Sequence, residues 1–341
     1  VEKSKVESIL QSLEMTVSSV DDGWKVTGPS YRFDINIEAD LIEEVGRIVG
    51  YNNIPGTKET AHVAMESFSE TKLGLNRLKD TLVTRGYYEA VTYAFVSPAI
   101  QQIMHPNAET LSLANPISAD MSEMRTRLLP GLVQAVQHNI NRQQSRVRLF
   151  ESGLCFIPGI DGLEQTSHIA AIIAGSSDTE GWISSKQDVD YFDIKGDLQS
   201  LMQLVSEKDF EFRKTSNEIM HPGQAADIYL NGNMVGFVGA LHPTVLKQLQ
   251  IDQKLFVFEL ETESLQTAQL AQFNELSKFP SIRRDLALII DQDVSVQQLV
   301  DSVFSIKSEI IQDVFIFDVY TGGEVINNRK SVALGLILQG F

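Results

Sequence analysis

The sequence predicts a multidomain α+β protein. Its 341 residues suggest two or three domains, at a typical size of roughly 150 residues each. Apolar residues at helical spacing and alternating apolar residues are interspersed along the chain, which predicts mixed helices and strands. Asn231-Gly232 lies between two alternating stretches and predicts a tight hairpin, so part of the sheet is antiparallel. We expect three units, residues 1–66, 67–276 and 277–341.

Composition excludes several classes of protein. The formal charge of −17 argues against phosphate contacts spread over the whole surface, so any nucleic-acid contact must be local. No apolar run approaches the roughly 20 residues that span a bilayer. Cys155 is the only cysteine and the six histidines lack the short spacings of a zinc site, so we expect neither disulfides nor zinc. A start at Val1 without a signal pattern suggests a piece of a longer, cytoplasmic polypeptide.

The first unit reads as helix, hairpin, helix. Helical spacing covers residues 5–13, and Asp21-Asp22-Gly23 separates two alternating stretches that form the hairpin. We expect the second helix to begin at Asp40 as its N-cap, with Glu43 as the capping-box partner, and to end at Gly50.

The middle unit mixes helices with strands. Three leucines at helical spacing, Leu75, Leu78 and Leu82, precede Gly86, which suits a helix C-cap, and residues 88–95 then alternate as a strand. Further strands are predicted at 147–156, 168–174, 226–230 and 234–239, with helices beginning at Pro130 and near Asp193.

The third unit has the order β-α-β-β, with elements at 283–291, 295–305, 310–323 and 329–340. A ferredoxin-like fold needs one more helix and strand, so this unit is predicted to be a truncated form of that fold. Its first strand would lie between the third and the missing fourth, and truncation would expose its edge. We therefore expect this unit to be the least stable of the three.

Four carboxylates near the start of the second helix allow two interpretations. Asp40 and Glu43 suit helix capping, with Glu44 favoured by the positive end of the helix dipole. Residues 40, 43 and 44 also share one helix face, and Asp34 precedes them on an expected strand, so their oxygens could converge on one Mg²⁺.

Five segments in series resemble the bacterial phenylalanyl-tRNA synthetase β-subunit family. The first carries Arg32-x-Asp34-Ile35, Asp40-Leu41-x-Glu43-Glu44 and Gly50-Tyr51-Asn52-Asn53-Ile54-Pro55. The later segments are "RTRLLPGLVQAVQHNINRQQSRVRLFESGLCF", "DYFDIKGDLQSLM", "MHPGQAADIYLNGNMVGFVGALHP" and "KFPSIRRDLALIID". The resemblance covers nearly the whole chain.

The resemblance implies a small winged-helix-like domain, a core resembling a class II synthetase, and the start of a ferredoxin-fold anticodon-binding domain. It also implies an α subunit in an α2β2 tetramer, tRNA(Phe) as a partner, and ATP used by the α subunit. The matching positions Asp34, Asp40, Glu43 and Glu44 would be Mg²⁺ ligands near the boundary with α. With the resemblance, metal binding becomes the favoured interpretation of these carboxylates.

The core is expected to be catalytically silent, with no catalytic residue. Class II synthetases meet the ATP α-phosphate with the Arg of a Phe-Arg-x-Glu motif, whereas this chain has Phe156-Ile157-Pro158-Gly159. An apolar side chain cannot neutralise a phosphate. We expect a non-catalytic part of phenylalanine-tRNA ligase. Its rivals are a free-standing nucleic-acid-binding module built on residues 1–57 and a ligase active by itself.

Two groups of residues each allow two interpretations. A basic cluster could face tRNA or the α subunit, or could form a solvated helix face with ion pairs; its members are Arg125, Arg127, Arg142, Arg146 and Arg148. Phe315, Phe317 and Tyr320 fall on one strand, where they are either core residues or exposed rings that stack on bases.

Overall fold

The computed structural model forms two compact units, residues 1–67 and 68–341. The residues that the structure describes are 1–61, 64, 65, 67, 69–160, 162–183, 187–206, 209–270, 272, 273, 275–306, 308–322 and 328–340. No helix among them is both long and apolar enough to cross a membrane.

The first unit has the predicted order of helix, hairpin and helix. Its elements are α1 (Lys3–Ser12), β1 (Thr16–Val20), β2 (Gly23–Thr27) and α2 (Glu38–Val49). Val20 pairs with Gly23 across the predicted turn, where the positive φ of 151° suits glycine. The predicted N-cap of α2, Asp40, is wrong by three residues, because Ile37 is the N-cap. Asp40 is the third residue of the helix, where its carboxylate accepts the backbone N–H of Ile37.

A seven-stranded sheet forms the centre of the second unit. Its spatial order is β3-β6-β7-β11-β10-β9-β8, and every pair is antiparallel except β3 with β6. The strands are β3 (Tyr88–Glu89), β6 (Arg146–Gly159), β7 (Gly162–Gly175), β8 (Phe210–Lys214), β9 (Met220–Leu230), β10 (Asn233–Leu241) and β11 (Leu255–Glu261). Asn231 and Gly232 both have positive φ in the β9–β10 turn, as a type I′ hairpin requires.

Helices cover both faces of this sheet, because each face carries its own apolar cluster. Leu78 and Leu82 of α3 (Leu75–Thr84) and Leu198 of α6 (Tyr191–Met202) belong to one cluster. The other cluster takes residues from α4 (Pro98–Met104), α5 (Leu129–Ile140) and α7 (Pro243–Gln248). These two clusters fix the sheet as a rigid platform for side chains.

One predicted strand in this unit is wrong. Residues 88–95 do not form one strand, since β3 ends at Glu89 and the short β4 (Phe95–Val96) pairs with β5 (Glu123–Met124) in a separate ribbon. Between them the chain leaves the sheet, and the Thr92 hydroxyl donates to Glu151 at 2.7 Å. A hydrogen bond between side chains thus takes the place of backbone hydrogen bonds between strands at this point. The strands β8 and β11 were not predicted.

The last 60 or so residues form a three-stranded sheet with one helix. The elements are β12 (Ile282–Asp291), α8 (Val296–Phe304), β13 (Ile311–Tyr320) and β14 (Arg329–Leu338). The order β12-β14-β13 confirms that the first strand pairs with the third and lies at an edge. A small cluster centred on Val314, Val332 and Leu334 packs against α8.

Candidate functional site

Arg32 holds two of the four acidic residues together. Its guanidinium donates to Asp34 at 2.8 Å and to Glu44 at 3.0 Å, and Arg47 also pairs with Glu44. Glu44 is nearly buried, whereas about half of the Asp34 side chain is exposed. The hydrogen bonds from Arg47 and Arg32 lower the pKa of Glu44, and the bond from Arg32 lowers the pKa of Asp34. Both carboxylates are therefore ionised and already bonded to cations.

Asp40 and Glu43 are placed differently. The Asp40 carboxylate accepts the backbone N–H groups of Asn36 at 2.7 Å and Ile37 at 2.9 Å, and these bonds lower its pKa. Glu43 faces solvent. Asp40 therefore has a helix-capping role, at the third position of the helix instead of at the predicted N-cap.

These residues do not form a ready magnesium site in this conformation. Mg²⁺ requires several oxygens at about 2.0–2.1 Å in an octahedral arrangement. Among the described residues, the acidic stretch contains no three ligand atoms within 4.8 Å of one another. Arg32 moreover lies against the two carboxylates that a cation would have to share. The four residues therefore fit Mg²⁺ only if Arg32 moves away.

The five arginines do not form one basic surface. Arg125 is buried, pairs with Glu151 at 2.6 Å and donates to the Leu154 carbonyl at 2.9 Å. Arg148 is also buried and pairs with Asp197 at 2.7 Å. Both arginines are core residues of this fold, which agrees neither with a solvated helix face nor with a surface for tRNA.

Asp197 joins three separate segments of the core. Besides Arg148, it accepts Arg85 Nε at 2.8 Å and the hydroxyl of Tyr87 at 2.7 Å. Burial, together with the Asp197 charge and this hydrogen bond, raises the pKa of Tyr87 well above its ordinary value. The cluster is a buried, largely satisfied polar network of the kind that fixes a unique core arrangement.

The other three arginines differ from one another. The Arg127 guanidinium lies 4.9 Å from the centre of the Phe237 ring, and burial lowers its pKa. Arg146 is half-buried and donates to the Ser177 carbonyl at 3.3 Å. Arg142 is exposed just beyond α5. Contact with tRNA or with an α subunit stays a prediction for this group, and Arg142 is its most accessible member.

A cavity of about 190 Å³ opens on the α5 face of the sheet. Its lining includes His105, Arg127, Ile157, His168 and Glu259. Glu259 Oε1 accepts from His168 Nδ1 at 3.0 Å and from the backbone N–H of Leu128 at 3.1 Å, whereas its Oε2 is buried without a partner. Burial opposes ionisation of Glu259, but the His168 hydrogen bond and the Arg127 charge keep its pKa below the ordinary value. Burial lowers the pKa of His105 to about 4.

An aromatic and cationic cluster lies on the small terminal sheet. The Arg283 guanidinium lies 5.0 Å from the ring centre of Phe315 and 4.9 Å from that of Phe317. Neither ring belongs to the apolar cluster under α8, and 48% of Phe317 is exposed. Tyr320, at the end of the same strand, is 47% exposed. Of the two interpretations that the sequence allows, Phe317 and Tyr320 are therefore exposed rings and not core residues.

Sequence reasoning missed the acidic partners in the sheet. Glu151, Asp197 and Glu259 are all buried, and Glu151 and Glu259 each lie in a largely apolar strand, for example "LFVFELE" around Glu259. A carboxylate inside a buried strand is rare unless it is paired, and that pattern was the available signal. Their arginine and histidine partners lie 26 to 112 residues away in sequence, so spacing alone could not identify the pairs.

The fold and site define a mixed α+β protein with a large sheet, a buried polar cavity and a smaller terminal sheet. Three family models match the chain in series: "tRNA synthetase B5 domain" over residues 1–51, "Phenylalanyl tRNA synthetase beta chain CLM domain" over 54–262, and "Ferredoxin-fold anticodon binding domain" over 277–341. The second model covers more than half of the chain. The chain therefore belongs to the phenylalanyl-tRNA synthetase β chain family, as the sequence motifs predict.

Curated relatives agree with this assignment. The chain is 45% identical to the phenylalanine–tRNA ligase beta subunit of Pasteurella multocida and 45% identical to that of Pseudomonas syringae pv. tomato. It is 42% identical to the beta subunit of Pseudoalteromonas translucida. Each similarity covers 99% of this chain but 43% of the relative, so the chain spans less than half the length of these proteins.

Proposed function

We propose that this chain is a non-catalytic part of a phenylalanine–tRNA ligase β subunit. It supplies a scaffold for an α subunit, in an α2β2 assembly that attaches phenylalanine to tRNA(Phe) with ATP bound by α. The three-domain division at 1–66, 67–276 and 277–341 and the class II-like character of the core belong to this proposal. A cytoplasmic location follows from the same function.

The observation that carries the non-catalytic role is the cavity on the central sheet. Ile157 stands where the motif of a class II synthetase has its phosphate-binding arginine, and this apolar side chain lines the cavity. At about 190 Å³ the cavity is smaller than the roughly 300–1,000 Å³ of most small-molecule pockets. Arg127, which also lines it, lies against the ring of Phe237. The cavity therefore lacks the space that a nucleoside triphosphate needs, and residue 157 offers no guanidinium to its phosphates.

Anticodon contact is assigned to the exposed aromatic face of the terminal sheet. Unpaired bases stack on aromatic rings and on guanidinium planes, and both kinds of surface meet at Phe317 and Arg283. The region from Lys278 onward carries six Lys and Arg against eight Asp and Glu, so bulk charge does not attract RNA there. Stacking must then supply most of the binding free energy.

Two matched variants test this assignment in an αβ complex reconstituted with an α subunit. Phe317→Ala should weaken tRNA(Phe) binding by about 1–3 kcal/mol, the usual range for one stacked base. Phe304→Ala removes a similarly exposed ring from α8, outside the face that carries Phe317, and should leave the affinity unchanged. Equal affinities for both variants and the wild type would refute the anticodon face.

The scaffold role is tested by co-purification and by enzyme assay. The chain should co-purify with an α subunit and should show no ATP–pyrophosphate exchange alone. Exchange by the purified chain would favour the rival of an independently active ligase. Salt-sensitive duplex binding by the chain alone would favour a free-standing nucleic-acid module. That rival is disfavoured because residues 1–67 carry six Lys and Arg against twelve Asp and Glu, a net of −6.

Magnesium binding by Asp34, Asp40, Glu43 and Glu44 is retained as part of the proposal. Magnesium binding requires that Arg32 release Asp34 and Glu44, because the Arg32 guanidinium is hydrogen-bonded to both carboxylates. Calorimetry of the αβ complex should detect Mg²⁺ binding that is absent from a variant with all four residues changed to Asn or Gln. Equal binding by the two complexes would exclude this site.

A further inference from the structure

Three potential metal donors converge on one face of the central sheet. Cys155 of β6, His168 of β7 and Glu259 of β11 lie on adjacent strands, and their donor atoms lie within 4.8 Å of one another. Cys155 pairs with Thr166, two residues before His168, and Glu259 pairs with Ala170, two residues after it. Side chains two residues apart on a strand share a face, so the pairing places all three donors together. This is the only such group among the described residues.

We propose that Cys155, His168 and Glu259 form a zinc-binding site that is open to the cavity. This inference does not depend on the proposed ligase function. Nitrogen, thiolate and carboxylate are the ligand set of zinc, and three protein ligands with one open position are common for this ion.

The separations suit the size of the ion. His168 Nδ1 is 3.0 Å and Cys155 Sγ is 4.0 Å from Glu259 Oε1. One donor atom from each of the three residues lies within 4.8 Å of the other two, a span that suits ligands of one zinc ion, whose bonds to nitrogen and sulfur are about 2.0–2.3 Å. Little movement is needed, because both clusters of the core hold these strands in place.

Neighbouring groups already orient the donors as outer-shell partners of a metal do. The second ring nitrogen of His168, Nε2, is 3.0 Å from Thr166 Oγ1. The backbone N–H of Leu128 fixes the Glu259 carboxylate. Glu259 is 2% exposed, yet its Oε2 has no hydrogen-bond partner. A buried carboxylate oxygen without a partner is destabilising, and a cation held by both oxygens of Glu259 would satisfy it.

Charge balance indicates what occupies the fourth position. In the metal-free protein a neutral thiol, the Glu259 carboxylate and the Arg127 guanidinium sum to zero. When Zn²⁺ binds, the thiol proton leaves to solvent and the Nδ1 proton of His168 moves to Nε2, where Thr166 Oγ1 accepts it. Zinc–sulfur and zinc–nitrogen bonds then form, which leaves one excess positive charge. A chloride or hydroxide at the open position, on the side of the cavity that Arg127 lines, restores neutrality.

Cobalt substitution tests the site, because Cys155 is the only thiol of the chain. The 341-residue protein is freed of metal with a chelator and titrated with Zn²⁺ or Co²⁺. We expect one equivalent of either ion and, with Co²⁺, a thiolate-to-metal charge-transfer band in the near ultraviolet. Cys155→Ser should abolish the band, and His168→Gln should weaken Zn²⁺ binding by at least about tenfold. His138→Gln, which alters an exposed histidine, should change neither result.

Circular dichroism separates loss of metal from loss of folding. Zn²⁺ should raise the melting temperature of the wild type and leave that of folded Cys155→Ser unchanged. The proposal is overturned if no ion binds at stoichiometric concentration, if Co²⁺ binds without the band, or if Cys155→Ser binds Zn²⁺ as tightly as the wild type.

Discussion

Arg148 and Arg142 belong to one basic cluster in the sequence, but replacing them with alanine should have opposite consequences. Arg148 is 8% exposed and pairs with buried Asp197, whereas Arg142 is exposed beyond the end of α5. Arg148→Ala leaves a buried carboxylate without one of its two cationic partners. Arg142→Ala removes a solvated side chain that contacts the neighbouring His138.

The expected magnitude follows from the remaining contacts of Asp197. Removing one partner of a buried ion pair destabilises a protein by about 3–5 kcal/mol. Asp197 keeps Arg85 and the hydroxyl of Tyr87, so we expect the lower end, about 3 kcal/mol. Arg142→Ala should change the free energy of unfolding by less than about 0.5 kcal/mol.

Urea unfolding followed by far-ultraviolet circular dichroism measures both variants. A loss of about 3 kcal/mol lowers the urea midpoint by roughly 1 M for a domain of this size. Unfolding of Arg148→Ala at the wild-type midpoint would refute the assignment of Arg148 to the core. The double variant Arg148→Ala/Asp197→Ala should recover part of the loss, since it leaves no unpaired carboxylate.

Three further outcomes follow from the described contacts. Hydrogen exchange should be faster in β12 than in β7, because β12 pairs on one edge only and its sheet has a small core; equal protection would contradict this. Arg32→Gln should raise the Mg²⁺ affinity of the chain in calorimetry by releasing Asp34 and Glu44, and an unchanged affinity would mean that Arg32 does not block a site. The lowered pKa of His105 predicts stability that is lost as pH falls from about 6.5 to about 4, because the unfolded state binds a proton that the folded state excludes. His105→Gln should reduce the pH dependence of the unfolding midpoint between pH about 6.5 and about 4, whereas His138→Gln should leave that dependence unchanged.

The sequence predicted correctly the turns and the strands and helices that depend only on residues close to one another along the chain. The Asp21-Asp22-Gly23 and Asn231-Gly232 turns and the β-α-β-β order of the last unit are confirmed. The strand predicted at 88–95 is wrong because a side chain far along the sequence, Glu151, holds Thr92 out of the sheet. The residues next to Thr92 in the sequence do not reveal this contact with Glu151.

The site was less accessible to sequence reasoning than the fold. Motif resemblance identified the family and placed Asp34 and Glu44 together, but not the guanidinium of Arg32 between them. The arginine cluster failed as a single surface because strand pairing turns Arg148 inward toward Asp197, 49 residues later. The donors 155, 168 and 259 show no metal-site spacing, since only the register of three strands brings them together.

The strand order of the central sheet also bears on synthesis by the ribosome. The strand β11 is the last of the seven to be made, yet it occupies a place between β7 and β10. Until residue 261 leaves the exit tunnel, the β6–β7 hairpin and the β8–β9–β10 meander each present an open, apolar border. Such borders invite wrong pairing between nascent chains. The border of β7 stays unpaired while residues 176–261 are added and that of β10 while residues 242–261 are added, so both borders are covered only when β11 pairs with them.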